Sequence, residues 1–299
     1  MKLTTLLDRF RVEPGKKCKL KDFDPGWEGD EDVPEETRRE TAARILNESR
    51  DAVERSQELL FAADSWSVLV ILQAIDAAGK DGTIKHVMSG VNPRGVEITS
   101  FKAPNAEELD HNFLWRCSKA LPARGHIGIF NRSYYEEVLV VKVHRNLVDA
   151  QRLPNAEPDK KKFWAHRYED INAFEHHLVR NGTKIVKCFL HLSKGEQRRR
   201  FQARIDTPEK NYKFSAGDFR ERQHWDDYQK AYSEMLTETS TKWAPWHVIP
   251  ADHKWITRAA VAALVAKAID DLDLQWPKMT DDAVREMEAC KQQLLAEED

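Results

Sequence analysis

Ser67-Val68-Leu69-Val70-Ile71-Leu72-Gln73-Ala74-Ile75-Asp76-Ala77-Ala78-Gly79-Lys80-Asp81-Gly82-Thr83 is the stretch that decides the fold of this chain. An apolar, β-branched run of this length, bounded by small residues, reads as a buried strand. The small residues around Gly79-Lys80 let the backbone turn tightly, and a helical pattern begins at Thr83. Strand, loop and helix N-terminus together direct successive backbone N–H groups at one point, an arrangement that suits an anion. Lys80 supplies the point charge, while Ala77, Ala78, Gly79, Asp81, Gly82 and Thr83 supply the cradle. The string departs twice from the G-x-x-x-x-G-K-[ST] phosphate loop: Ala74 replaces the first glycine and Asp81 the Ser/Thr that holds magnesium. Taken alone, it reads equally well as an ordinary strand-to-helix turn with a solvated lysine.

The flanking chain alternates strands and helices. Upstream, Ala43, Ile45, Leu46, Val53, Leu59 and Leu60 recur at near-helical spacing between Glu35 and Ala62. Downstream, Val96 to Phe101, His126 to Phe130, Lys184 to Leu192 and Trp246 to Ile249 read as strands. Helical patterns cover Ala106 to Lys119, Lys160 to Arg180, Lys194 to Arg204, Asp218 to Glu238 and Ile256 to Leu274. This alternation predicts an α/β fold, a parallel sheet covered on both faces, with ligands beyond the C-terminal ends of the strands. Residues 1–36, turn-rich and charged, read as an extended arm on a body spanning 37–276, and residues 277–299 as a polar helical tail.

Composition bounds the function. With 299 residues, 41% hydrophobic and 32% charged, and a formal net charge of −3, the chain is globular and not a general nucleic-acid binder. Any polyanion must meet a local basic site. Cys18, Cys117, Cys188 and Cys290 form no C-x-x-C pair, which fits a reducing cytoplasm. Neither a signal-peptide core nor a membrane-length apolar run is present, so no membrane partner is expected.

A second predicted strand end, Ile127-Gly128-Ile129-Phe130, delivers the chain into Asn131-Arg132-Ser133-Tyr134-Tyr135-Glu136-Glu137. Phosphate-loop enzymes place a magnesium-orienting acid there, and Asn131 brings no charge. The missing carboxylate points to Asp76 as the magnesium-holding group, with Asp81 second; capping of the following helix is the plain alternative for Asp76. Arg132 is suited to grip a phosphoryl oxygen with two parallel hydrogen bonds. Residues 193–222 carry Arg198, Arg199, Arg204, Lys210 and Lys213 among helix breakers, which reads either as a lid that closes over phosphates or as a solvated helix face.

With these motifs in order along the chain, it resembles the polyphosphate kinase 2 family, and within it the class III type. The resemblance rests on Asp76 to Thr83, Gly90-Val91-Asn92-Pro93 with Gly95-Val96, Phe113-Leu114-Trp115-Arg116, and Phe130 to Glu136. Ser193-Lys194, Glu196-Gln197, Tyr212-Lys213-Phe214, Trp225 with Tyr228, and Ala244-Pro245-Trp246 extend it. It implies a P-loop kinase-like three-layer αβα sandwich, similar to thymidylate kinase, with a helical lid. It also implies reversible transfer of the terminal phosphate of inorganic polyphosphate to AMP and ADP, giving ADP and ATP, with Mg2+ and Mn2+ as a possible substitute.

The family's loop aspartate and lysine fall on Asp76 and Lys80. Asn131-Arg132-Ser133 is the form class III members show, and Glu136 stands where ADP-specific members carry Asn. The resemblance therefore implies catalytic roles for Asp76, Lys80, Asn131, Arg132 and Glu136, with metal on Asp76 and Glu136. It implies nucleotide contacts at Asn92, Pro93, Arg94, Arg116 and Arg132, a polyphosphate path along Arg198, Arg199, Arg204, Lys210 and Lys213, and a homo-oligomer, dimer or tetramer. An ATP-dependent nucleoside monophosphate kinase and a non-enzymatic nucleotide- or polyanion-binding module are the rival readings.

Overall fold

The computed structural model describes residues 3–297. Strands β1 (Ser67–Gln73), β2 (Val96–Ser100), β3 (Ile127–Asn131), β4 (Thr183–His191) and β5 (Trp246–Pro250) form one parallel sheet in the order β2-β3-β1-β4-β5. All seven residues of β1 and all five of β3 are buried, which is why they read as continuous apolar runs and not as alternating ones. β2 lies at an edge and is partly exposed. The five strands expected from sequence are all present, each within a residue or two of the predicted bounds.

Chain direction explains the layering. From β1 the chain passes over β3 to β2, whereas from β3 it crosses β1 the other way to β4. Right-handed crossovers then put the two sets of connecting helices on opposite faces. On one face, helices Glu35–Ala63 and Lys254–Asp270 pack together, and Lys80–Val87 packs on the latter; on the other, Lys161–Arg180 packs on β4 and on Trp225–Thr239. Ala259, Ala260, Ala262 and Ala263 are wholly buried, small residues that let Lys254–Asp270 approach its neighbours closely. The reversal of direction beside β1 opens a crevice at the strands' C-terminal ends, where ligands sit in open α/β sheets.

Three expectations change. Ala106 to Lys119 is two short helices, Ala106–Asp110 and Trp115–Lys119, because the Asn112 side chain accepts from Leu114 N and sets a turn between them. The pattern from Asp218 to Glu238 is likewise broken, into Ala216–Glu221, a 3-10 turn at Arg222–His224, and Trp225–Thr239. The N-terminal arm is not simply extended: helix Leu3–Phe10 and a 3-10 turn at Leu20–Asp22 bury Leu7, Phe10, Val12, Leu20 and Trp27. Its bridge from Arg11 to His247 and the bond from Val12 N to Trp246 O cover the open edge of β5. At the other end, helix Asp281–Leu295 has no buried residue. No helix among the described residues is long and apolar enough to cross a membrane.

Close packing under β3 makes one glycine indispensable. A Cβ on Gly128 would lie 2.8, 2.9 and 3.0 Å from three ring carbons of Pro122, which cannot swing aside as a flexible side chain would. Gly128→Ala is expected to destabilise the protein by about 1–3 kcal/mol in denaturant titration. An unchanged midpoint would mean that the Pro122 loop yields freely.

Candidate functional site

The site is built where β1 and β3 end side by side, with Leu72 paired to Asn131. After β1 the backbone alternates hand: Ala77 has φ 65° and Gly79 φ 101°, and helix Lys80–Val87 starts directly on Gly79 with no side-chain cap. Glycine adopts this conformation freely; alanine does so at roughly 1–2 kcal/mol, strain of the kind held at ligand sites. The first-turn N–H groups have no intrahelical partner and open onto the cleft. Lys80 Nζ donates to Ala74 O at 3.0 Å, folding its ammonium over the loop. Burial, reinforced by Arg132, lowers its pKa to about 8 against the opposing pull of Asp76, Glu136 and Asp81.

Arg132 is the hub. It follows β3 with φ 65°, and its guanidinium pairs with Asp76 on one side and lies 3.7 Å from a Glu136 oxygen on the other. Burial opposes its charge, yet the two carboxylates hold its pKa above the ordinary arginine value. Burial raises the Glu136 pKa, with Arg132 and Lys80 opposing. The two departures from the generic loop motif meet each other: Asn131 Nδ2 donates to Asp81 Oδ1 at 2.6 Å. The carboxylate missing from the end of β3 is thus present across the cleft, in the first turn of helix Lys80–Val87.

Beyond the loop, a cleft of about 460 Å³ is lined by Asp76 to Thr83, Asn131, Arg132, Arg204, Lys210, Lys213, Lys254 and Arg258. Three of the residues expected along a polyphosphate path, Arg204, Lys210 and Lys213, are in this lining. Arg198 and Arg199 are not: both are exposed outside the cleft, Arg199 with 65% side-chain exposure and paired to Glu196 at 2.7 Å. Arg200, which the sequence reading passed over, is the arginine that turns inward. It donates to the carbonyls of Ala77 (3.0 Å), Ala78 (2.9 Å), Ala251 (2.6 Å) and Asp252 (3.1 Å) and so straps the loop to the segment after β5. Gln197, three residues before it, donates to Asp76 O at 3.1 Å. The few apolar residues of this helix, Phe201, Ala203 and Ile205, fall on no single face, so its phase was unreadable in sequence.

Lys254 and Arg258 were also missed, although a signal existed. They occupy successive turns at the start of helix Lys254–Asp270, where the helix dipole disfavours cations, and no acid stands in that first turn. Cations held against the dipole are explained by an anion.

A second cavity, about 320 Å³ and largely apolar, opens on the other side of Arg132. Phe101, Phe113, Val140, Val141 and Leu147 form its walls, and Arg116, Arg132, Glu136, Glu137 and Gln151 its polar points. Arg116 is anchored there by bonds to Lys102 O (2.7 Å) and Glu108 (3.4 Å). Asn92, Pro93 and Arg94, by contrast, are exposed at the N-terminal end of β2, and Asn92 spends its side chain capping the turn at Arg94 N. A five-residue strand of about 3.3 Å per residue separates them from the cavity, so they do not join Arg116 and Arg132 in its lining.

No group of three or more His, Cys, Asp or Glu side chains able to hold a metal occurs among the described residues. Asp76 and Glu136 nevertheless flank Arg132 with hard oxygen donors, and Gln73 Oε1 at the end of β1 is buried without a partner. One or two carboxylates completed by substrate phosphate oxygens and water suit Mg2+-type binding, so the residues present fit a divalent ion that arrives with substrate.

A family model described as polyphosphate kinase 2 matches residues 36–277. The chain is 48% identical over 299 residues to a protein of Rhodopseudomonas palustris named ADP-polyphosphate phosphotransferase, covering 99% of this chain and 100% of the other. It is 43% identical over 272 residues to a protein of Meiothermus ruber named AMP/ADP-polyphosphate phosphotransferase, covering 91% and 96%. The crystal structure of polyphosphate kinase 2 from Arthrobacter aurescens TC1 matches with a TM-score of 0.83 at 40% identity, covering 96% of each chain.

The lowered pKa of Lys80 has a measurable sign. Its cationic form, which grips anions, dominates below about pH 8 and is lost above it. The kcat/KM for a phosphate-chain donor, which reports the free enzyme, should fall above about pH 8. In kcat the same limb should lie higher, since bound phosphate favours the ammonium. Lys80→Arg should remove the limb at reduced activity; a limb unchanged in that variant would assign it to another group.

Proposed function

This chain belongs to the polyphosphate kinase 2 family, and from that premise we propose that it transfers the terminal phosphoryl group of inorganic polyphosphate to AMP and to ADP, reversibly. The observation that carries the reading is the double exposure of Arg132. It lines the cationic cleft and the apolar cavity alike, so one guanidinium faces both donor and acceptor.

The donor chain lies along Arg204, Lys210, Lys213, Lys254 and Arg258, with its terminal phosphate over the loop and Lys80. These five cations share the cleft with the loop and suit a highly charged anion such as a chain of phosphates. The acceptor's base and sugar occupy the apolar cavity, and its phosphate points at Arg116 and Arg132. An acceptor phosphate oxygen attacks the terminal phosphorus, the P–O bond to the chain breaks, and the departing polyphosphate is one unit shorter. No side chain forms a bond to phosphorus. Positioning and neutralisation of charge on the equatorial oxygens lower the barrier, which is the work of Lys80, Arg132 and the loop N–H groups.

Enzymes of this family generally depend on a divalent metal. We propose Mg2+, with Mn2+ as a substitute, held by Asp76 and Glu136 once phosphates bring the remaining oxygens; it would supply charge neutralisation across the transferring group. Because Glu136 also lines the acceptor cavity, it is the residue that adapts the site to AMP, whose single phosphate is the nucleophile.

The test is incubation of purified protein with Mg2+, AMP and polyphosphate, without ATP, followed by chromatography of the nucleotides. ADP and then ATP should appear; their absence alongside active ATP-dependent phosphorylation would overturn the donor assignment. Glu136→Asn should lower kcat/KM for AMP at least about tenfold more than for ADP, a differential of about 1.4 kcal/mol. Lys254→Ala combined with Arg258→Ala should raise KM for long-chain polyphosphate far more than for tripolyphosphate, and equal effects would remove these residues from the path.

A further inference from the structure

Beneath the β3 turn lies a buried ion pair, Glu175 with Lys187, that lines neither cavity. Lys187, in the middle of β4, and Glu175, on helix Lys161–Arg180, both have 0% side-chain exposure and meet at 2.6 Å. Lys187 Nζ also donates to Tyr135 Oη (2.9 Å) and to the Thr239 carbonyl (2.7 Å), so its three donors are used. Glu175 Oε1 accepts from Tyr134 Oη (2.9 Å) and Tyr135 Oη (2.6 Å). Burial raises the pKa of both phenols well above the ordinary value, so they stay protonated donors.

Stability does not call for such a cluster. Two ions taken out of water carry a large desolvation penalty, and apolar side chains of the same volume hold a core as well or better. What charge and hydroxyls add is fixed direction. Tyr134 and Tyr135 are separated from Arg132 only by Ser133, and the 3-10 turn Tyr134–Val138 that they begin carries Glu136. Arg132 sits in the left-handed region at φ 65°, which a non-glycine residue holds only when its surroundings over-determine it. The two phenols anchored on Glu175 are that over-determination on the C-terminal side, while the bond from Arg132 N to Leu72 O at 3.0 Å is its counterpart on β1.

We propose that Glu175, itself held by Lys187, is a positioning residue: through Tyr134 and Tyr135 it fixes the turn that aims Arg132 and Glu136 at the transferring phosphoryl group. The assignment rests on the phosphotransferase reading. It places a determinant of turnover on helix Lys161–Arg180 and β4, neither of which supplies a residue to the cation-lined cleft or to the apolar cavity.

The test compares Tyr135→Phe with an apolar replacement of the whole cluster, Tyr134→Phe, Tyr135→Phe, Glu175→Leu and Lys187→Met together. In Tyr135→Phe, kcat with AMP and polyphosphate should fall about 10- to 100-fold, the scale of an ångström-sized misplacement, with KM for polyphosphate within about twofold; the melting temperature should fall by about a few degrees, because Lys187 loses one of its three acceptors, and the protein stays folded at the assay temperature. The fourfold variant should melt at or above wild type and lose kcat at least as far. Wild-type kcat in either folded variant, or a loss of kcat that merely tracks a loss of melting temperature, overturns the proposal; if the fourfold variant does not fold, Tyr135→Phe alone decides. Wild-type protein assayed in parallel keeps the two readings apart. Inactive wild type removes the phosphotransferase reading and this one with it, whereas active wild type beside an unimpaired variant removes only this one.

Discussion

Everything at the site depends on the guanidinium of Arg132 being held between two carboxylates in a backbone conformation that an arginine rarely adopts. Asp76 comes from the loop after β1 and Glu136 from the turn after β3, so the pairing ties the two strand ends into one unit. A permanently charged planar group at that junction is the part common to both cavities. The parallel register that sets Leu72 beside Asn131 makes the contact possible, because a shift of one residue would turn these side chains to the opposite face.

Around this junction the chain spends its cations in two ways. Lys80, Lys210, Lys213, Lys254 and Arg258 keep their charge for the cleft, whereas Arg200 gives its donors to four backbone carbonyls and acts as a strap. The distinction decides what a basic run means. Arg198, Arg199 and Arg200 are adjacent and chemically identical, yet only the third faces the loop, since consecutive residues on a helix are turned about 100° from one another.

The fold was legible because its strongest signals are local. β1, β3 and β4 are buried on both faces and announce themselves as apolar runs, and the loop after β1 is marked by small residues and a lysine. Of the residues named from sequence, Asp76, Lys80, Asn131, Arg132 and Glu136 lie together at the ends of β1 and β3, and Arg116 lines the apolar cavity beside them. Asn92, Pro93 and Arg94 lie apart from the cavity that Arg116 lines, because a motif names residues but not the end of the strand they occupy. Glu175 and Lys187 gave no signal at all: a lysine inside a strand looks like an outward-facing charge until helix Lys161–Arg180 is laid over it. The same holds for the Asp81 to Asn131 bond, two apparent flaws that complete each other only in space.

Sequence alone determined the elements, their order, the phosphate loop and the family resemblance, since each rests on side-chain periodicity or on short motifs within one segment. Tertiary structure decided which charges face the cleft, which act as straps, and how Arg132 is shared between the cleft and the apolar cavity. Those choices depend on helix phase and on contacts between residues far apart in the chain, and one-dimensional spacing carries neither. Arg132 and Asp76, 56 positions apart, form their pair only because the sheet brings the ends of β1 and β3 together.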